Sequence, residues 1–188
     1  MLGYPVHMND FYIVQTLIVV IATIFFPLGM KASEMFGAKR VLICGGTLSL
    51  SMVYLCSYIK SPTAFIYCYG SAFGIGKAMM YSSSLQAGWS HLKERIGMVS
   101  GFILCGFGFG GFFFGFIMNR LCNPENISVQ KYIIEGTEEQ LFPKEVGERV
   151  PEMIRKLTMI WTCLFLFGAC TVHTYKPPLN LDVDSSIE

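Results

Sequence analysis

The chain has 188 residues, of which 53% are hydrophobic and only 14% charged, and its formal net charge is +1. An average soluble domain is about 25% charged, so this composition excludes an ordinary soluble globular domain. The near-zero charge balance gives no electrostatic case for a nucleic-acid partner.

The start of the chain, Met1 to Asp10, carries no basic residue ahead of the first apolar run. No cleavable secretory signal and no Arg-rich transit peptide is read there. The first span is therefore expected to serve as its own insertion signal, or the chain to be already mature. Five apolar stretches follow, over residues 11–28, 41–58, 63–87, 98–121 and 157–175. About 20 apolar residues cross a bilayer as a helix, so the predicted fold class is an all-α membrane protein with five transmembrane helices, a single helical domain over residues 1–175.

Between the first two stretches, Gly29 and Gly37 are read as bracketing a tight loop that carries Lys31, Glu34, Lys39 and Arg40. A second short charged loop holds Lys93, Glu94 and Arg95. The two loops flank alternate spans and share one side, which the positive-inside rule makes the inner side. The N-terminus is then outside. The third stretch contains one charge, Lys77, with Tyr81 one turn on and on the same face. A lysine at bilayer depth costs about 2.5–3.5 kcal/mol or more, so it faces a cavity or a partner. Lys77 is read as an anion-binding or partner-pairing cation, with a snorkelling lysine as the plainer alternative.

The fourth stretch is rich in glycine. The pairs Gly97/Gly101, Gly106/Gly110 and Gly111/Gly115 have small-xxx-small spacing and are expected to line close helix–helix contacts. Gly106, Gly108 and Gly111 also match G-x-G-x-x-G by letters, but no strand precedes them, so a nucleotide fingerprint is rejected. The outer loop over residues 122–156 opens on Asn123-Pro124, and Glu145, Val146, Arg149, Val150, Met153, Ile154 and Leu157 recur at helical spacing. That pattern predicts an amphipathic helix on the membrane surface that feeds the last span. Residues 176–188 form a polar, Pro-broken tail, expected to lie inside and to be disordered alone. The seven cysteines, Cys44, Cys56, Cys68, Cys105, Cys122, Cys163 and Cys170, show no CxxC and no adjacent histidine. They are read as apolar filler rather than as disulfides or metal ligands. No nucleophile–base constellation and no cofactor motif appears, so the chain is read as no enzyme, without metal or cofactor.

The cassette Gly29, Glu34, Gly37, Lys39, Arg40 resembles the loop signature G-x-x-x-[DE]-x-x-G-x-[RK]-[RK] of the major facilitator superfamily. Gly74-Ile75-Gly76-Lys77, Gly88-Trp89, Lys93-Glu94-Arg95, the glycines of the fourth stretch, Asn123-Pro124, Phe142-Pro143 and Arg149-Val150-Pro151 follow in order. The set resembles the N-terminal half of the oxalate/formate antiporter and monocarboxylate transporter branch over about residues 10–175. The resemblance implies that the five spans correspond to spans two to six of a six-helix half. Such carriers rock two halves about a central site. With one span and the second half unmatched, and with a start at Met and a hydrophilic end, the expectation is a transporter-derived accessory subunit of a larger membrane complex, inactive in transport alone. The alternative is half of a split or homodimeric carrier for small mono- or dicarboxylates. The implied partners are membrane lipid, other membrane subunits and a small carboxylate. The mitochondrial inner membrane is the expected home, with the plasma membrane as the alternative.

Overall fold

The structure is a computed structural model that describes residues 8–128, 130–134 and 137–173. The tail over 176–188 and the end of the stretch read as 157–175 lie outside the described residues. Five long helices, α1 (Met8–Phe36), α2 (Ala38–Cys56), α3 (Pro62–His91), α4 (Ile96–Cys122) and α6 (Val150–Thr171), form an up-and-down bundle. A two-stranded hairpin, β1 (Gln130–Ile134) with β2 (Thr137–Leu141), and a short helix α5 (Lys144–Glu148) lie between α4 and α6. The fold is the all-α membrane type that the apolar runs imply, with this small antiparallel hairpin inserted in one loop, Gln130 opposite Leu141.

Local chemistry sets the helix ends. Gly37 separates α1 from α2 with φ 89°, a conformation that L side chains avoid, and its N–H donates to the Ser33 carbonyl at 3.0 Å. Pro62 occupies the first turn of α3, where its missing N–H costs nothing. Asn123 ends α4 by a two-way clamp on Ile127: Oδ1 accepts from the Ile127 N–H at 2.8 Å, and Nδ2 donates to its carbonyl at 2.9 Å.

The helices meet through small residues. Gly70 and Gly74 of α3 face Leu17 and Ile21 of α1, and Gly29 of α1 faces Ser82 of α3, so these two helices run parallel. Gly76 of α3 meets Ser49 of α2, and Gly45 of α2 meets Met79 of α3, in antiparallel register. Phe165 of α6 lies over Gly46 of α2, and the Arg155 guanidinium sits 5.6 Å above the Tyr58 ring. In lipid, where apolar contact with a helix is no better than contact with acyl chains, such backbone approach is what associates helices. A tight apolar cluster of Val53, Met153, Ile154 and Leu157, flanked by Phe73 and Trp161, closes the α2–α3–α6 end.

Two readings of the sequence change here. Gly29 does not bracket the loop: α1 continues through it to Phe36, and the glycine is needed where α1 approaches α3. Gly97, Gly101, Gly106, Gly110, Gly111 and Gly115 make no close contact among the described residues, because a Cβ at any of them would meet nothing within 4 Å. Small-xxx-small spacing marks a face that permits close approach, but α4 packs through Phe107, Phe114, Ile117 and Leu121 instead, so its glycine face meets no helix among the described residues.

Among the described residues, four helical segments are long and apolar enough to cross a membrane: Tyr12–Phe36, Ala38–Cys56, Lys93–Cys122 and Val150–Thr171. α3 has 30 residues, ample length for a span, but a less apolar composition. The reason is its place. Gly70, Ala72, Gly74, Gly76, Ala78, Ser82 and Ser83 are buried against neighbouring helices, where small residues replace the bulky ones that lipid favours. α4 is the opposite case, with Phe102, Leu104, Phe109, Phe112, Phe113 and Phe116 all more than 60% exposed.

Candidate functional site

The site builds on α3. Its burial pattern assigns its faces: Gly70 and Gly74 turn to α1, Gly76 and Met79 to α2, and Gly88 to Val99 of α4. At 3.6 residues per turn, Lys77 shares one strip of α3 with Phe73 and Tyr81. Lys77 is exposed and sits at the midpoint of the helix. One turn earlier on the strip, Phe73 stacks on Tyr69, with centroids 5.6 Å apart, and leans on Trp161. One turn later Tyr81 touches two helices at once, 5.8 Å from the Phe26 ring of α1 and edge-on at 5.1 Å to Phe107 of α4. Lys77 thus lies one turn from Phe73 and one turn from Tyr81, the tyrosine that ties α1, α3 and α4 together.

The polar groups around this frame satisfy themselves. Ser82 and Ser83, both fully buried, donate to the Met79 carbonyl, and Ser84 donates to the Met80 carbonyl at 2.8 Å. Hydroxyls bonded to their own helix in this way offer little to a ligand. Two ion pairs, Arg149 with Glu125 at 3.8 Å and Lys156 with Glu152 at 2.8 Å, lie near the junction of α4 and α6, away from Lys77. Among the described residues no carboxylate pairs with Lys77. Two clefts, of about 230 and 400 Å³, are lined by residues such as Arg149 and Lys156 or Asn119 and Arg120, and neither reaches Lys77. The arrangement therefore presents one exposed cation at the middle of α3, on the strip that carries Phe73 and Tyr81.

The basic cassette assembles at one end of the bundle. Glu34 and Arg40 are exposed and Lys39 is half-buried around the Gly37 turn, with no ion pair among them. The same end carries the second charged loop, a 3-10 turn over Lys93–Arg95. Two links at this end are invisible in the sequence pattern. The Trp89 indole Nε1–H donates to Ser100 Oγ at 2.9 Å, and that hydroxyl donates to the Ile96 carbonyl at 2.9 Å, tying α3 to the start of α4. His91 Nε2 is hydrogen-bonded to the His173 carbonyl at 2.7 Å, tying the end of α6 to the end of α3. No periodic signal joins positions 11 or 82 residues apart. His173 contributes its backbone carbonyl to this contact.

The chain is 30% identical over 162 residues to apicoplast pyruvate carrier 1 of Toxoplasma gondii, a match covering 80% of this chain and 29% of that protein. It is 28% identical over 85 residues to monocarboxylate transporter 10 of Rattus norvegicus, covering 44% of this chain and 16% of that one. The mouse protein of the same name matches equally, over 17% of its length. No family model and no solved structure matches. The chain is a transporter-related integral membrane protein whose relatives are carriers of pyruvate and monocarboxylates rather than enzymes. It spans less than a third of the length of the curated relatives it matches.

Proposed function

We propose that the chain is one helical wall of a small-carboxylate carrier of major facilitator type, inert alone and completed by further membrane helices. In this reading α3 is a fifth span, and the five correspond to spans two to six of a six-helix half. The charged loops around Gly37 and Lys93 are inside, and Lys77, one turn from Phe73 and from Tyr81, meets the carboxylate. The observation that carries it is the exposure of Lys77 at mid-helix with no carboxylate paired to it among the described residues. A cation left against hydrocarbon at that depth would cost about 2.5–3.5 kcal/mol, whereas a water-filled cavity between two bundles removes that cost. The pyruvate carrier and the monocarboxylate transporters among the relatives support the substrate class.

The test is reconstitution. The purified chain in proteoliposomes gives no saturable pyruvate or lactate uptake, and the assembly extracted in mild detergent from its native membrane gives it. Saturable uptake by the chain alone overturns the reading. An assembly that holds the chain but gives no carboxylate uptake leaves a purely structural subunit, the accessory role, as the outcome.

A further inference from the structure

Cysteines read along the sequence as unconnected apolar filler include two that the fold brings together. Cys56 is the last residue of α2 and Cys68 lies in the second turn of α3, on the two sides of the short connection over residues 57–61. Their sulfurs are 3.3 Å apart, while every cysteine in the chain is a free thiol. A disulfide bond is about 2.05 Å long, so closing the gap takes a sulfur displacement of roughly one ångström. Both residues sit at the end of the bundle that carries Tyr58 and Arg155, next to a loop rather than at the centre of the span. Cys56 is 1% exposed, whereas Cys68 is half-buried. One thiol is thus approachable from outside and the other is held behind it.

We propose that Cys56 and Cys68 form a dithiol modification site, closed to an intramolecular disulfide by a low-molecular-weight disulfide such as oxidised glutathione. Exchange proceeds by thiolate attack on a disulfide sulfur through a mixed disulfide. The Cys68 thiol, after losing its proton to water, attacks one sulfur of the reagent, forms the mixed disulfide and releases one thiolate. The Cys56 thiol, deprotonated as it reacts, attacks Cys68 Sγ, and the second reagent thiolate leaves. Two protein thiols are oxidised, one small disulfide is reduced to two small thiols, and the two protons end on those leaving thiols. The order follows from access, since Cys56 is fully covered and Cys68 only half-covered. The product clips the end of α2 to the start of α3 at the mouth of their contact, and a dithiol reductant reverses it. None of this depends on whether the chain carries carboxylates.

The experiment uses the whole chain in its membrane. Membranes are treated with oxidised glutathione, quenched in acid, denatured, and alkylated with N-ethylmaleimide before peptide mass spectrometry. The expected result is that two of the seven thiols escape alkylation, Cys56 and Cys68, that they are recovered as one joined peptide, and that dithiothreitol before alkylation restores both. In Cys56→Ser, Cys68 retains a glutathione adduct because nothing resolves it. In Cys68→Ser, Cys56 stays alkylatable, because glutathione does not reach it. Full alkylation of both positions in the unsubstituted chain overturns the proposal, and so does joining of either one to a different cysteine at a comparable rate.

Discussion

Gly76 of α3 and Ser49 of α2 face each other so closely that a Cβ at position 76 would collide with the Ser49 Cβ, an atom fixed by its backbone. A long side chain could swing away, but this contact has no such freedom. Overpacking of this kind costs about 1–3 kcal/mol. Gly76→Ala should therefore lower the thermal unfolding midpoint of the detergent-solubilised chain. Gly110→Ala should act in the opposite sense, because position 110 meets nothing within 4 Å and a helix-interior Gly→Ala change stabilises by about 0.5–1 kcal/mol. Equal midpoints for the two variants would show that the α2–α3 contact is looser than described.

The contrast also marks what the sequence can and cannot reveal. Apolar length identified all five long helices, α3 included, because lipid-facing and helix-facing surface alike call for apolar residues. Glycine spacing pointed to α4, yet the close approaches are made by Gly70, Gly74 and Gly76 on α3 and Gly45 and Gly46 on α2. Spacing shows that a face is smooth, whereas contact depends on which helix the tertiary fold lays against it. The hairpin was masked for a related reason: the run from Gln130 to Leu141 is mostly polar and lacks clean alternation, so its pairing is visible only in the backbone register. The helix expected along the outer loop is broken at Arg149 into α5 and α6, with Pro151 fitting the first turn of the second. Lys77 was legible because a lone charge in an apolar run needs no partner to be noticed. The ring contacts of Tyr81 beside it were not, because Phe26 and Phe107 come from other helices.

Gly37 supplies a second stability test. Its φ of 89° is confined to glycine in practice, although no atom lies within 4 Å of where a Cβ would be. The cost of a side chain there is backbone strain alone, about 1–3 kcal/mol. Gly37→Ala should reduce thermal stability, and Gly37→Asn, which tolerates positive φ better, should reduce it less. Identical stabilities for the parent and the alanine variant would refute this conformation at the α1–α2 turn.

Orientation is tested by labelling. The alternation of the helices puts residues 37 and 93 at one end and residues 58 and 128 at the other. In sealed vesicles, an impermeant maleimide should reach Ser128→Cys from outside and Lys93→Cys only after permeabilisation, since both parent residues are exposed. The basic density of the short loops is the ground for calling their side inner. Labelling of both from the same side would break the alternation, and the reverse pattern would invert the molecule.

The last test concerns Lys77 within the complete assembly. If Lys77 meets the substrate carboxylate, its charge matters more than its length or shape. Lys77→Met should lower pyruvate uptake by roughly tenfold or more, a loss of about 1.4 kcal/mol for each factor of ten. Lys77→Arg, which keeps a cation at the same place on α3, should retain most of it. Tyr81→Phe should be mild, because the contacts of Tyr81 with Phe26 and Phe107 are made by the ring. Tyr81→Ala should be damaging, because it removes the ring that joins α1, α3 and α4. Uptake and retention separate the two roles open to the chain. A Lys77→Met assembly that still contains the chain but transports poorly is what a carrier wall predicts. One that transports normally while shedding the chain would assign Lys77 to a neighbouring subunit and the whole bundle to an accessory place beside the carrier.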